Sequence, residues 1–112
     1  MGADAFFAFY GVKFALDPED EAGLDACGDE SDPRCLAAKR CGLQTHSGRM
    51  TDGEDYFLYI GQRLGWLGLE HDAHAHIPSG LLAQTMAQVD AKLAQAGFGQ
   101  PAALHLQLEA QY

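Results

Sequence analysis

Apolar residues follow two patterns along the chain, and the two patterns alternate. Continuous or alternating apolar stretches, which are typical of β-strands, occupy residues 5–16, 43–50, 56–69 and 104–110. Stretches with the sequence features of helices occupy residues 18–27, 33–41 and 79–96. The sequence therefore predicts the element order β-αα-β-β-α-β.

The two most apolar predicted strands are residues 5–16 (AFFAFYGVKFAL) and residues 56–69 (YFLYIGQRLGWLGL). The first is apolar on both alternating faces at its start, which favours a central strand covered on both sides. In the second, strict alternation places Trp66 on the same face as Leu58, opposite Phe57 and Tyr59. Three glycines indicate a bulge or bend toward its end: Gly61, Gly65 and Gly68.

Two short helices are predicted from a repeated pair of end signals. Each begins with Asp-Pro, at Asp17 and at Asp32, where Asp is a good N-cap and Pro suits the first helical position. Each ends with Cys-Gly, at Gly28 and at Gly42, and glycine favours the left-handed conformation that closes a helix.

A longer third helix follows Pro78, with Ser79 as the predicted N-cap and Gly97 as the terminating residue. Its apolar residues recur at helical spacing and form one stripe: Leu82, Met86, Val89 and Leu93. After it, leucines alternate with polar residues from position 104, which is the pattern of a half-buried strand.

This order predicts an α+β fold of the ferredoxin-like type, with a four-stranded antiparallel sheet and the helices on one face. The first and third strands would lie at the centre because they are the most apolar, and the second and fourth at the edges. The length of 112 residues indicates a single domain, 1–112, with an acidic helical insertion at about residues 17–42.

In such a fold one sheet face packs on the helices and the other is open. We expect four aromatic residues to share the open face and to form a homodimer contact: Phe7, Phe9, Phe57 and Tyr59. An open apolar face must be covered by a partner, a second copy or a ligand. In the alternative interpretation the rings belong to the core and the other face is open.

The net charge of −9 changes this picture because it is local. Residues 17–32 hold eight acidic residues and no basic ones, whereas the rest holds eight acidic and seven basic residues. Such a surface repels phosphates, which excludes direct nucleic-acid binding, and attracts basic proteins. The acidic stretch is either a solubilising loop or the contact for a basic partner. We assign that contact to seven residues: Asp17, Glu19, Asp20, Glu21, Asp25, Asp29 and Glu30.

Cys27, Cys35 and Cys41 show no C-x-x-C spacing, so we expect reduced thiols that pack as small apolar side chains. No segment reaches the roughly 20 apolar residues that cross a membrane, and the first residues lack the basic start of a secretion signal. The sequence therefore favours a cytoplasmic location and no membrane contact.

The stretch Glu70–His76 (EHDAHAH) is the strongest candidate for metal chemistry. If it is extended, Asp72, His74 and His76 point the same way and resemble a zinc or iron ligand set. The alternative is a polar loop, which its position between a glycine-rich strand end and Pro78 favours. No catalytic motif is present, and we assign no catalytic residue.

The sequence thus favours a small non-catalytic protein-binding domain without a cofactor, such as an inhibitor, an immunity-type factor or a regulatory subunit. It would self-associate through the open sheet face and bind a basic partner through the acidic residues. The alternative is a dimeric metal- or small-ligand-binding protein that uses the EHDAHAH segment.

Overall fold

The computed structural model describes residues 5–17, 19–49, 56–68 and 71–109, and it shows an α+β fold with seven elements. The strands are β1 (Ala5–Leu16), β2 (Gln44–Arg49), β3 (Tyr56–Leu67) and β4 (Ala103–Glu109). The helices are α1 (Glu21–Gly28), α2 (Pro33–Arg40) and α3 (Ser79–Ala96). The predicted order, with two short helices after the first strand, is confirmed.

The four strands form one sheet in the order β2-β3-β1-β4, and each neighbouring pair is antiparallel. The two most apolar strands, β1 and β3, lie at the centre as predicted. β2 pairs with the first half of β3, and β4 pairs with the first half of β1. The two edge strands therefore lie at opposite ends of the long β1–β3 ladder.

The β1–β3 ladder bends so strongly that its two ends meet on one face. The register places Phe57 opposite Ala15, eight positions along β1 from Phe7. A straight strand would separate these positions by about 27 Å. The Phe7 and Phe57 ring centroids are nevertheless only 6.0 Å apart. One face of the sheet is therefore concave and closes on itself.

Two glycines allow the central strands to approach closely in the middle of this ladder. Gly11 and Gly61 are register partners. A Cβ on Gly11 would overlap the carbonyl oxygen of Ile60, and a Cβ on Gly61 would overlap that of Tyr10. Only glycine fits at this crossing of two backbones.

A bulge near the end of β3 changes which face its residues occupy. The register shifts between Ala8 and Phe9, so that Leu64 has no partner on β1. The strict alternation that placed Trp66 with Leu58 is therefore wrong beyond this point. Trp66 packs against the phenylalanine side of the sheet, and the predicted bulge is confirmed.

The convex face carries the helices and the larger core. Val89 and Leu93 of α3 are buried there, with Leu82 and Met86 half-buried, as the predicted stripe requires. The Tyr10 hydroxyl donates to the Asp90 carboxylate at 2.8 Å and fixes α3 over β1. Within the described residues, no helix is long and apolar enough to cross a membrane.

The first predicted helix begins later than expected. Asp20, not Asp17, caps α1, and its carboxylate accepts from the Gly23 N–H at 3.0 Å. The Asp17 carboxylate instead accepts from the Glu19 N–H at 2.9 Å and closes a local turn. Gly28 remains in the helix, and Glu30 adopts the left-handed conformation with φ of 60°.

The other two helices follow their predicted signals except at one N-cap. α2 has Asp32 as its N-cap, Pro33 at its start and a left-handed Gly42 with φ of 75° after it. α3 starts at Ser79, but its N-cap is Pro78, so Ser79 is not the capping residue. Gly97, with φ of 89°, ends α3 as predicted.

Candidate functional site

The acidic surface, defined as the seven acidic residues assigned above between positions 17 and 30, lies on the β1–α1 connection, α1 and the turn before α2. All of its members are exposed except Glu30, which is half-buried. Asp17 also accepts a backbone hydrogen bond in the turn before α1, and Asp20 accepts the one that caps α1. These two side chains are therefore structural as well as charged.

Glu30 is already paired within the chain. Its carboxylate lies 2.7 Å from the Lys39 ammonium and accepts from the Thr45 hydroxyl at 2.9 Å. The hydrogen bond from Lys39, and then that from Thr45, lower the pKa of Glu30. The residue ties the α1–α2 turn to α2 and β2, which leaves little of its charge for a partner.

Asp32, directly after the acidic surface, is buried and pairs with the half-buried Arg34. Its carboxylate accepts from the Arg34 backbone N–H at 2.8 Å and from the guanidinium at 3.0 and 3.1 Å. The hydrogen bonds from Arg34 lower the pKa of Asp32 although burial opposes them. Within the acidic surface, four exposed carboxylates have no side-chain or backbone partner among the described residues: Glu19, Glu21, Asp25 and Asp29.

The cysteines are free thiols, and two of them belong to the helix-side core. Cys27 and Cys35 are buried, and burial raises the pKa of both thiols. The Cys27 sulfur also lies 3.7 Å from a carboxylate oxygen of Asp32. A thiol that stays protonated at neutral pH is a poor nucleophile, and its role here is packing.

Residues 71–76 of the EHDAHAH segment form a loop that folds back on the end of β3. The Asp72 N–H donates to the Trp66 carbonyl at 3.0 Å, and the His71 ring stacks on Trp66 with centroids 4.3 Å apart. Ala75 packs over Gly65, where even one added Cβ would be tight. The loop interpretation agrees with this structure.

The proposed metal ligands Asp72, His74 and His76 are all exposed on this loop. The His74 and His76 rings lie nearly parallel with centroids 6.5 Å apart. Within the described residues, no three histidine, cysteine or acidic side chains are gathered as a metal site requires. Glu70 lies outside the described residues, and the geometry gives the zinc or iron alternative no support.

The aromatic cluster, defined as Phe7, Phe9, Phe57 and Tyr59, lies on the concave face and is not open. Each of the four residues is only 1% exposed to solvent. Tyr59 contacts the Phe7 and Phe9 rings with centroids 5.4 and 5.3 Å away. The expectation of an open aromatic face is therefore corrected: the bend of the sheet makes these rings a second core.

Polar groups close the concave side of the aromatic cluster. The Gln107 side-chain oxygen accepts from the Tyr59 hydroxyl at 2.8 Å and from the Lys13 ammonium at 3.2 Å. The same ammonium lies over the rings of Phe57 and Tyr59, 5.7 and 5.6 Å from their centroids. Burial raises the pKa of Tyr59 to about 12, so its hydroxyl remains a donor.

Two histidines border the same cluster from the two edge strands. His46 of β2 lies 4.8 Å from the Phe7 ring, and His105 of β4 lies 5.1 Å from the Tyr59 ring. Burial lowers the pKa of His105, and the Lys13 charge lowers it further against a hydrogen bond with the Gly11 backbone. His105 is therefore neutral at pH 7.

The leucine row, defined as Leu104, Leu106 and Leu108 of β4, is an exposed surface that the sequence patterns did not predict. These leucines are 54%, 62% and 52% exposed, whereas Gln107 between them is only 7% exposed. β4 is an edge strand, and no described strand pairs with its outer side. The half-buried strand is present, but its polar side faces inward and its leucines face outward.

One sequence feature could have pointed to this surface. Residues 97–108 contain no Lys, Arg, Asp or Glu. Charged side chains or a proline within an exposed edge strand usually prevent it from pairing with another chain. In β4 the single charged residue is Glu109, at the last position of the strand, and the stretch with the alternating leucines has none. That stretch is a candidate for pairing with another chain.

Two clefts lie away from the leucine row, one beside the aromatic cluster and one beside the acidic surface. One, of about 220 Å³, is lined in part by Lys39, His46 and Arg63; the other, of about 250 Å³, is lined in part by Asp20 and Arg34. Their charged groups are largely engaged within the chain, since Lys39 pairs with Glu30, and Arg63 lies 4.6 Å from the Trp66 ring centroid. By contrast, each leucine of the leucine row keeps more than half of its surface exposed.

Comparison with known protein families, curated proteins and solved structures found no match.

Proposed function

We propose that this chain is a small non-catalytic protein-binding domain whose main contact surface is the leucine row of β4. The observation that carries the proposal is the exposure of Leu104, Leu106 and Leu108 on an edge strand that no described strand covers. Contiguous exposed apolar side chains on a small domain are typical of protein interaction sites.

A comparison of the free energy of leucine burial with the cost of association indicates the form of the contact. Full burial of one leucine contributes about 1.5–3 kcal/mol, so three leucines that are already half-buried contribute about 3 kcal/mol in total. Association costs about 4–15 kcal/mol in lost freedom of motion. Burial of the leucines alone therefore does not offset the cost of association. Main-chain hydrogen bonds along the β4 edge must supply the remaining binding free energy. This is recognition by strand addition.

The acidic surface provides a second contact, for a basic partner protein. Its four exposed carboxylates without an internal partner are Glu19, Glu21, Asp25 and Asp29. They follow the end of β1 that lies away from β4, because β4 pairs only with residues 5–11. The two surfaces can be occupied together, as an inhibitor, an immunity-type factor or a regulatory subunit would require.

The proposal includes two finer assignments. The central position of β1 and β3 and the connecting helices support a ferredoxin-like topology, here with a strongly bent sheet. The three free cysteines support a reducing compartment, the cytoplasm.

One photo-crosslinking experiment tests both surfaces. A photoreactive amino acid is placed at position 106 on β4, at position 22 among the exposed acids of α1, and at position 36 on α2 as the control. Leu36 is a suitable control because it is 48% exposed but lies outside both surfaces. We expect protein adducts, with this chain or another, at least several-fold more abundant from positions 106 and 22 than from position 36. Equal yields from positions 106 and 36 would contradict the proposal.

A further inference from the structure

We infer that the leucine row binds a second copy of this chain, with the two β4 strands paired antiparallel about a two-fold axis. This inference rests on the proposed function and names the partner at the same surface. A copy presents the same row of three leucines, so the surface is its own complement when the axis passes through its centre.

The distribution of charge favours a copy at this edge. The chain carries a net charge of −9, so two copies repel each other wherever their acidic surfaces approach. Residues 97–108 contain no Lys, Arg, Asp or Glu. Pairing at β4 also leaves the acidic surfaces away from the interface, because the acidic surface contacts β2 through Glu30 and Thr45, and β2 and β4 lie at opposite edges of the sheet.

The alternation along β4 selects one register. If Leu106 lies opposite Leu106 of the partner subunit, then Leu104 lies opposite Leu108 of the partner subunit. Residues directly opposite in an antiparallel pair point to the same face, so the leucines of both copies would lie side by side. His105 would then lie opposite Gln107 of the partner subunit on the concave side, which brings no two like charges together.

The resulting assembly is one continuous sheet of eight strands. Each α3 helix packs on β1 and β3 of its own chain, so the paired leucines would form a strip between the two helix layers. Standard interfaces bury roughly 800 Å² per partner, and one strand edge with three leucines is smaller than that. We therefore expect a weak dimer with a dissociation constant of roughly micromolar size.

Cysteine cross-linking tests both the partner and the register. All variants carry Cys41→Ser, because Cys41 is half-buried whereas the other two native thiols are buried. In the inferred register the Cα atoms of the two residues 106 are about 4.5–5.5 Å apart, which a disulfide accepts. The two residues 104 are four positions out of register and about 14 Å apart, which is too far.

Under mild oxidation at about 50 µM protein, we expect a disulfide dimer from Leu106→Cys but only background from Leu104→Cys. The double variant Leu104→Cys/Leu108→Cys should restore the dimer, since each cysteine then meets its opposite in the partner. Leu36→Cys, outside β4 and comparably exposed, sets the background.

A dimer yield from Leu106→Cys that equals the yield from Leu36→Cys would overturn the inference. Equal yields from Leu104→Cys and Leu106→Cys would overturn the two-fold register and with it the inferred assembly. The proposed function fails separately: photo-crosslinks from position 106 to other proteins, without self-cross-linking, would retain the binding surface and remove only the second copy.

Discussion

Gln107 determines which side of β4 faces inward. Its buried amide oxygen accepts from Tyr59 and Lys13, and its amide N–H donates to the Leu108 carbonyl at 3.1 Å. A buried donor left without its acceptor costs about 1–3 kcal/mol. This cost keeps Gln107 inside, and the period of two along a strand then turns the neighbouring leucines outward.

At the residue scale we expect His105 to make stability depend on pH. Its folded-state pKa is lowered, mainly by burial, so the unfolded chain binds a proton more readily than the folded one. Stability is unaffected by this group well above pH 6.5, and it decreases as the pH falls below the ordinary value of 6.5. One proton contributes a slope of at most about 1.4 kcal/mol per pH unit.

Urea unfolding at pH 7, 6 and 5 checks this prediction. His105→Gln should show a smaller loss of unfolding free energy over that range than the wild type. His74→Gln, on the exposed loop, controls for the removal of a histidine. Identical pH dependence in wild type and His105→Gln would show that the burial of this ring does not affect its protonation.

Single-residue signals predicted α2 better than α1. Asp32-Pro33 works as expected because the Asp32 carboxylate also binds the Arg34 side chain, which fixes it in place. Asp17-Pro18 competes with Asp20, whose carboxylate reaches the Gly23 N–H and starts the helix three residues later. Several acids in a row leave the choice of cap to local geometry, which the sequence does not specify.

At the element scale, the closed concave face depends on the crossing of β1 and β3 at Gly11 and Gly61. We expect Gly61→Ala to destabilise the fold by about 3 kcal/mol or more, since its Cβ would overlap the Tyr10 carbonyl and neither backbone can move aside. Thermal unfolding should show a melting temperature lower by about 12 °C or more.

Gly80→Ala is the matched control. Gly80 lies in the first turn of α3 with nothing within 4 Å of an added Cβ. Alanine there should stabilise the helix by a few tenths of a kcal/mol to about 1 kcal/mol. A Gly61→Ala variant that melts within about 3 °C of the wild type would contradict the role given to this crossing.

The limits of strand patterns show in β3. The apolar run and its glycines predicted the strand, its central place and a bulge. Alternation then failed after Leu64, because one unpaired residue moves all later side chains to the other face. The sequence indicated that a bulge was present but not at which residue, so the side of Trp66 was assigned incorrectly.

At the scale of the whole molecule, curvature determines which surface is left open. The sequence identified the four rings that share a face, and the structure confirms that they lie together. Whether a face is open depends on how far the sheet bends. The bend in turn depends on the close packing of residues that are distant in the sequence. The bend buries the rings and leaves the leucine row as the exposed apolar surface of the sheet.

Sedimentation velocity shows whether a second copy of the chain binds to the leucine row. Wild type, Leu106→Lys and Leu81→Lys are compared from about 1 to 200 µM, which spans micromolar dissociation constants. Leu81 is the matched control, since it is 52% exposed on α3 and lies off the sheet edge.

We expect the wild type and Leu81→Lys to shift from the mass of one chain toward that of two as the concentration rises. Leu106→Lys should remain a single chain throughout, because the two-fold axis would place its ammonium directly opposite the copy's. A wild type that sediments as one chain at every concentration, or a Leu106→Lys variant that dimerises equally well, would contradict the account.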